Sequence, residues 1–324
     1  TLGFSFNNFS LKRFFKKDAW RPIPNGDGQK LALRFQTYGA GYIAGSVSFT
    51  EPWLGGKKAN AFTTSYSYSR YTNGYSSSDT NFAKFVIHGI GFSLGKRLNW
   101  PDDYFTLYQA INIQRYDLQN YSTIFDVGSG DGQFNNISYT IAIGRRSDDN
   151  PIFPRKGSDI SLSLELTPPY SLFSSKNYST LSEDEKYQWI EYHKWKFSGA
   201  WYTQLVGDLV LSSKMRFGFL GYYNNEIGTT PFERFYLGGD GLSGYNNLDG
   251  REIIALRGYT NESILPEYFA DKTIGGSIYS KYTLELRFPL SLNPNATIYA
   301  LGFLEGGNSW NKFAKFNPFN VYKS

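Results

Sequence analysis

The 324-residue chain carries no cysteine, which excludes a disulfide framework and any Cys-based metal or nucleophile site. Two histidines leave little for a metal site, a formal charge of +5 does not signal nucleic acid, and no run of 18 apolar residues offers a transmembrane helix. Aromatic residues make up 19% of the chain although mean hydropathy is −0.42. Tyr and Trp in such excess suit surfaces that are half apolar and half wet, such as the aromatic girdles of outer-membrane barrels; a large soluble β-protein with a Tyr-rich binding face is the other reading.

Period-two alternation starts at once. Leu2, Phe4 and Phe6 alternate with Gly3, Ser5 and Asn7, and predict a strand over 2–11. Leu31, Leu33 and Phe35 mark 29–39, and further strands follow over 42–51 and 60–72. Ile90, Phe92 and Leu94 mark 84–98, and the next strand is 104–118. Ile137, Tyr139, Ile141 and Ile143 mark 134–146, and Ile160, Leu162, Leu164 and Leu166 mark 158–168. Strands over 193–206 and 209–223 follow; Leu284, Leu286 and Phe288 then mark 274–290, before a strand over 297–310. These are roughly twelve strands of about ten residues, the length that crosses a bilayer.

The connections alternate in kind. Short or compact ones read EPWLGGKKA, NWPDD, DDNPIFPRKG, VGDL and SLNPNA. The other set includes NGYSSSDTNF, QNYSTIFDVGSGDGQ, YSLFSSKNYSTLSEDEKYQWIEY and a 50-residue stretch, 224–273. Short turns at one rim and long loops at the other are the outer-membrane pattern. The long connection 12–28 and the short TYGAGY hairpin depart from it. Ser182 with Glu185 is an S-x-x-E capping box and predicts a brief helix. Basic groups in LKRFFKK (11–17) and GGKK (55–58) sit beside Phe or Trp; they suit turns near an anionic membrane surface, or are solvated turn charge. A soluble sandwich has shorter strands and lacks the two-sided loop asymmetry. Lipid-facing strands must close into a barrel, because lipid satisfies no open edge. The chain opens in a strand, TLGFSFN, and ends at FNPFNVYKS where another begins, so it is expected to be part of a longer protein.

Covalent chemistry finds little purchase. His88 shares a strand face with Val86, Ile90 and Phe92, and neither it nor His193 is spaced with a nucleophile as an outer-membrane lipase would need. The SGDG and SSSD loops read as solvated tips rather than calcium loops. Glycine pairs at 238–239, 275–276 and 306–307 allow tight bends and close backbone approach, without the Lys-Ser/Thr of a phosphate loop. The long stretch is too rich in apolar residues for a linker, with PFERFYLGG and EIIALRGY inside it. Glu285 and Arg287 share the polar face of one strand, and Glu305 lies on the next. Two neighbouring carboxylates call for a cation, and Arg257 is the candidate, with Gly258 turning the backbone and Tyr259 packing on the wall. The plainer reading makes Arg257 an exposed loop charge and the carboxylates ordinary polar lining. Glu305 has the parity of Tyr299, Leu301 and Phe303, so alternation leaves its direction open.

ERFYLGGDGLSGY, IALRGY, YTLELRFPL and ALGFLEGGNSW occur in an order that resembles the C-terminal barrel of the BamA family of outer-membrane assembly factors, as does FTEPWLGG (49–56). The resemblance implies an all-β, transmembrane antiparallel barrel of sixteen strands, of which residues 1–324 supply the second to the thirteenth. POTRA domains, the first strand and the last strands then lie outside this chain. It implies that the loop 224–273 folds into the lumen, where Arg257, Gly258 and Tyr259 present the arginine to Glu285 and Glu305, and where Gly238 and Gly239 pack the loop. No catalytic residue, cofactor or metal is implied. The implied role is that of the central insertase, which folds client barrels into the bacterial outer membrane through a lateral gate. Its partners would be outer-membrane lipids, nascent β-barrel proteins and accessory assembly subunits, with no nucleic acid. A two-partner-secretion or TamA-like translocation pore is the alternative.

Overall fold

The computed structural model describes residues 1–20, 22–121, 127, 130–241, 251–266, 274–293 and 295–323. The strands are β1 (Leu2–Phe9), β2 (Gln29–Thr37), β3 (Tyr42–Glu51), β4 (Asn60–Thr72), β5 (Lys84–Arg97), β6 (Phe105–Gln119), β7 (Gly132–Arg146) and β8 (Gly157–Leu166). They continue with β9 (His193–Gln204), β10 (Val210–Gly221), β11 (Phe235–Leu237), β12 (Glu252–Ile254), β13 (Ile278–Asn293), β14 (Ala296–Trp310) and β15 (Tyr322–Lys323). The order is that of the chain, β1 to β10 and then β13, β14 and β15, in a sheet of 13 strands; β11 and β12 form a separate two-stranded sheet. All twelve alternating segments are strands. The segment expected over 274–290 begins only at Ile278, because Gly276 exchanges backbone hydrogen bonds with Phe235 in the long loop. The beginning of a further strand near the end of the chain is β15, paired to Gly306 and Gly307. The brief helix is α1 (Glu183–Lys186). Ser182 stands at its N-cap, but its hydroxyl donates to the Glu185 carboxylate at 3.2 Å instead of capping a backbone N–H, so only part of the capping box forms.

The chain divides into two compact units. In the first (Thr1–Arg97, Leu107–Ile141, Leu166–Glu191), register aligns the apolar residues across neighbouring strands. Phe4 faces Leu33, Leu33 faces Val47, Val47 faces Tyr66 and Tyr66 faces Ile90. All five of these side chains are exposed. The other face carries small polar residues, with Ser46 opposite Ser67 and Ser67 opposite Gly89. An exposed apolar face this broad is a lipid-facing surface rather than a scatter of surface hydrophobics. Buried aromatics gather at the long-loop end of the strands, where Phe85 stacks on Tyr116 and Tyr121.

The second unit (Leu98–Thr106, Ala142–Glu165, Tyr192–Ser324) repeats the division of faces. Leu284, Leu286, Phe288 and Leu304 are exposed on one side. On the other, register lines up Tyr202, Ser212, Glu285 and Phe303 across β9, β10, β13 and β14. The long loop packs on this second face and makes the unit's core there. Phe232, Phe235, Tyr236, Leu237, Leu256 and Ile264 are all buried.

Candidate functional site: a loop held by two charge clusters

The loop is shaped by its own backbone first. Phe235, Tyr236 and Leu237 pair in parallel with Glu252, Ile253 and Ile254. Phe235 exchanges both hydrogen bonds with Gly276, at 2.9 and 2.8 Å, and Ile264 donates to the Leu237 carbonyl at 3.2 Å. Gly238 and Gly239 follow with φ of +120° and +98°. A Cβ at Gly238 would stand 2.3 Å from the Thr260 carbonyl oxygen, and one at Gly239 would stand 2.0 Å from Asn261 Oδ1. Only glycine allows both that conformation and that approach. Their N–H groups reach the Ile254 and Tyr259 carbonyls, which folds the two halves of the loop together.

The RGY turn delivers the first charge cluster. Arg257 Nη2 donates to Glu305 Oε1 at 2.8 Å and to Glu285 Oε1 at 3.1 Å, and its backbone N–H donates to Glu305 Oε2 at 3.0 Å. Its guanidinium lies 3.6 Å over the ring of Phe303. That contact settles the direction left open by alternation: Glu305 and Phe303 face the loop together, opposite Thr283 and Glu285. Glu305 Oε1 also accepts from Thr283 Oγ1 at 3.1 Å and meets Lys281 Nζ at 3.2 Å. Glu285 meets Lys214 Nζ at 3.3 Å and is bound by the Arg287 guanidinium, whose Nε lies 2.9 Å away. The two carboxylates, 7% and 3% exposed, thus share four cations. The hydrogen bond to Glu305 raises the Arg257 pKa above its usual value, so this cation persists at any working pH. Gly258 takes φ of +83°, and Tyr259 sets its ring edge to Tyr322 of β15 at 6.0 Å. Lys281 Nζ further donates to the loop carbonyl of Ala255 at 2.6 Å.

The second cluster has the opposite polarity and escapes sequence reasoning. Here the loop supplies carboxylates and the sheet supplies ammonium groups. Lys194 Nζ lies 2.6 Å from Glu252 Oε2 and 3.0 Å from Glu233 Oε2, with its side chain 1% exposed. It also sits 4.8 Å over the Phe235 ring. Lys196, two residues along β9, reaches Glu252 Oε1 at 3.4 Å. The period-two spacing of Lys194 and Lys196 in HKWKF was a visible signal. Nothing in the sequence, however, said which loop residues would lie opposite. Burial pushes the Glu252 carboxyl up, but Lys194 and Lys196 outweigh it and hold its pKa below the ordinary 4.5. A depressed folded pKa gives stability that is complete above the unfolded value and is lost as pH falls through the folded one. Protease protection of the loop should therefore be constant from pH 7 to about 4.5 and decline only below that; a decline already at pH 6 would contradict the pairing.

The histidines sit apart from this site. His88 hydrogen-bonds Tyr66 Oη through Nδ1 at 3.1 Å on the exposed apolar face, with Tyr68 at 5.1 Å. His193 Nδ1 accepts from Trp195 Nε1 at 3.2 Å between Phe219 and Tyr223. In the SSSD loop, Asp79 accepts the Asn81 N–H at 2.8 Å. Part of the SGDG loop, and the LSGY end of the glycine-rich motif, lie outside the described residues. Among the described residues, no group of three or more His, Asp or Glu is placed to hold a metal ion.

Antiparallel strands of bilayer length, apolar on the side away from a docked loop, define a transmembrane β-barrel protein. The chain belongs to the Omp85 superfamily, whose domain matches residues 25–322. The fold is similar to that of BamA from Haemophilus ducreyi lacking POTRA domains 1–3, with a TM-score of 0.65 and 18% identity over 92% of this chain and 56% of that one. It is also similar to CdiB from Escherichia coli, with a TM-score of 0.54 and 11% identity over 91% of this chain and 48% of that one. The chain therefore spans about half the length of the structures it matches. No curated protein matches the sequence. The protein is an all-β barrel protein of the BamA type and of the bacterial outer membrane.

Proposed function

We propose that this chain is the barrel portion of an outer-membrane insertase, supplying the second to the thirteenth strands of sixteen. It works without covalent chemistry, cofactor or nucleotide. Client strands add at a lateral gate by backbone pairing, assisted by accessory subunits, and the weak seam disturbs nearby lipid. The observation that carries this reading is the Arg257 cluster, which fastens the loop to β13 and β14. These are the last long strands of the sheet before β15. A loop fixed there braces the wall beside a seam that must open.

Depleting the full-length protein should lower many unrelated outer-membrane proteins together. Loss of a single exported protein would favour the second reading, a two-partner-secretion pore, which the similarity to CdiB supports. Within the insertase reading, Arg257→Ala should lower stability by about 1.5–3 kcal/mol, the range for hydrogen bonds to charged groups. Glu285 and Glu305 keep Lys214, Arg287 and Lys281 as partners, which limits the loss. Heat-modified gel mobility and client levels measure the two effects, and normal values of both would refute the bracing role.

A further inference from the structure

At the short-turn end of the first unit, the long connection between β1 and β2 folds back as a strap. Its polar side is pinned. Ser10 Oγ donates to Asp27 at 2.5 Å, the Leu11 N–H to Gln29 Oε1 at 2.7 Å, and the Gly28 N–H to Asn8 Oδ1 at 3.0 Å. Gln29 then donates to Glu51 at 2.7 Å, and Glu51 accepts the Trp53 N–H at 3.2 Å, so the strap and the β3–β4 turn share one polar anchor. Two short 3-10 turns, Leu11–Arg13 and Lys17–Ala19, direct the intervening residues outward. Phe14 packs on Phe9, Phe15 and Trp20 at 6.2, 5.3 and 5.3 Å, and Phe9 packs on Phe49. Phe49 faces Leu31, in line with the exposed apolar face above it. The aromatic cluster thus continues the lipid-facing surface past the strand ends.

Its tips are open. Phe15 is 88% exposed, Trp53 56%, and Trp20 and Leu54 nearly half. Lys12, Lys16 and Lys17 of the strap and Lys57 and Lys58 of the turn are exposed beside them. None of these five pairs with a described acidic residue. Asp18 is the one acid within 11–20. Solvated turn charge would explain the lysines but not the exposed phenylalanine and tryptophans that a pinned strap holds among them. Aromatic tips next to unpaired cations, continuous with a lipid-facing wall, match the boundary between acyl chains and anionic headgroups.

We infer that residues 10–20, 22–28 and 52–59 form a docking surface for the headgroup plane of an anionic phospholipid leaflet. Phe15, Trp20, Trp53 and Leu54 enter the acyl boundary, and the five lysines meet phosphate esters. This rests on placement in the outer membrane and not on the insertase reading.

The test reconstitutes the full chain into phosphatidylcholine vesicles with a constant minor fraction of phosphatidylglycerol, brominating one lipid or the other at equal total bromine. Brominated phosphatidylglycerol should quench tryptophan emission more than brominated phosphatidylcholine. That excess should be lost in Lys12→Gln/Lys16→Gln/Lys17→Gln, in Trp20→Phe/Trp53→Phe, and in high salt. The tryptophan variant leaves every charge in place, and heat-modified mobility verifies folding of both. Equal quenching by the two lipids in the parent protein, or an excess that survives in the folded tryptophan variant, overturns the assignment. So does an excess that survives in the lysine variant.

Discussion

Glu305→Ala will release the long loop from the sheet and destabilise the protein by about 3–5 kcal/mol, the range for removing one partner from a buried charge group. The expectation follows from the number of groups on one carboxylate. Oε1 receives Arg257, Thr283 and Lys281, while Oε2 receives the Arg257 backbone N–H. At 3% exposure, water cannot readily replace them. The loss exceeds that of Arg257→Ala because here the cations are left together, with Arg257 and Lys281 repelling each other over an apolar ring. Glu305→Gln keeps the shape and loses the charge, so it should fall between alanine and the parent. Urea unfolding in detergent measures the cost, and proteolysis within residues 251–266 reports the release. Parent-like cleavage in a folded Glu305→Ala protein would show that the loop is held by its apolar side chains alone.

The second large effect is expected at Lys194. Lys194→Met removes the ammonium that Glu233 and Glu252 share and should cost about 3–5 kcal/mol, since it strands carboxylates at a side chain that is 1% exposed. Lys196 remains, but it lies farther from Glu252, at 3.4 Å, and is 39% exposed. Adding Glu252→Gln should recover much of the loss, because removing both charges of a buried pair is far milder than removing one. A double variant no more stable than Lys194→Met would assign the cost to packing against Phe235 instead.

The strands were readable because two media act on them. Lipid requires apolar residues on one face and the other face tolerates small and charged ones, so alternation survives through twelve segments such as Leu284, Leu286 and Phe288. The rule stumbles on β14. Tyr299, Leu301, Phe303 and Glu305 share the loop-facing side, where Phe303 is a platform for the guanidinium of Arg257. The motif around Arg257 and the packing glycines were legible only through the resemblance to the BamA family, since alternation alone left Arg257 an exposed loop charge. The pairing of β11 with β12 was not. Three residues on each side are too few for a period, and Leu237 and Glu252 stand far apart in the sequence. Glu233 and Glu252 stayed hidden for the same reason. Their role depends on how the loop crosses the strands, and that path is set by tertiary packing.

The opposite polarity of the two clusters has a consequence for how the loop docks at all. One end offers a guanidinium to carboxylates on β13 and β14, and the other offers carboxylates to ammonium groups on β9. Laid in reverse, the loop would bring Arg257 toward Lys194 and Lys196 and set Glu233 and Glu252 against Glu285 and Glu305. Like charges at such distances are strongly unfavourable where water is scarce. The arrangement therefore works as a key that enters in one direction, and a loop borrowed from a relative would seat only if both its signs came with it.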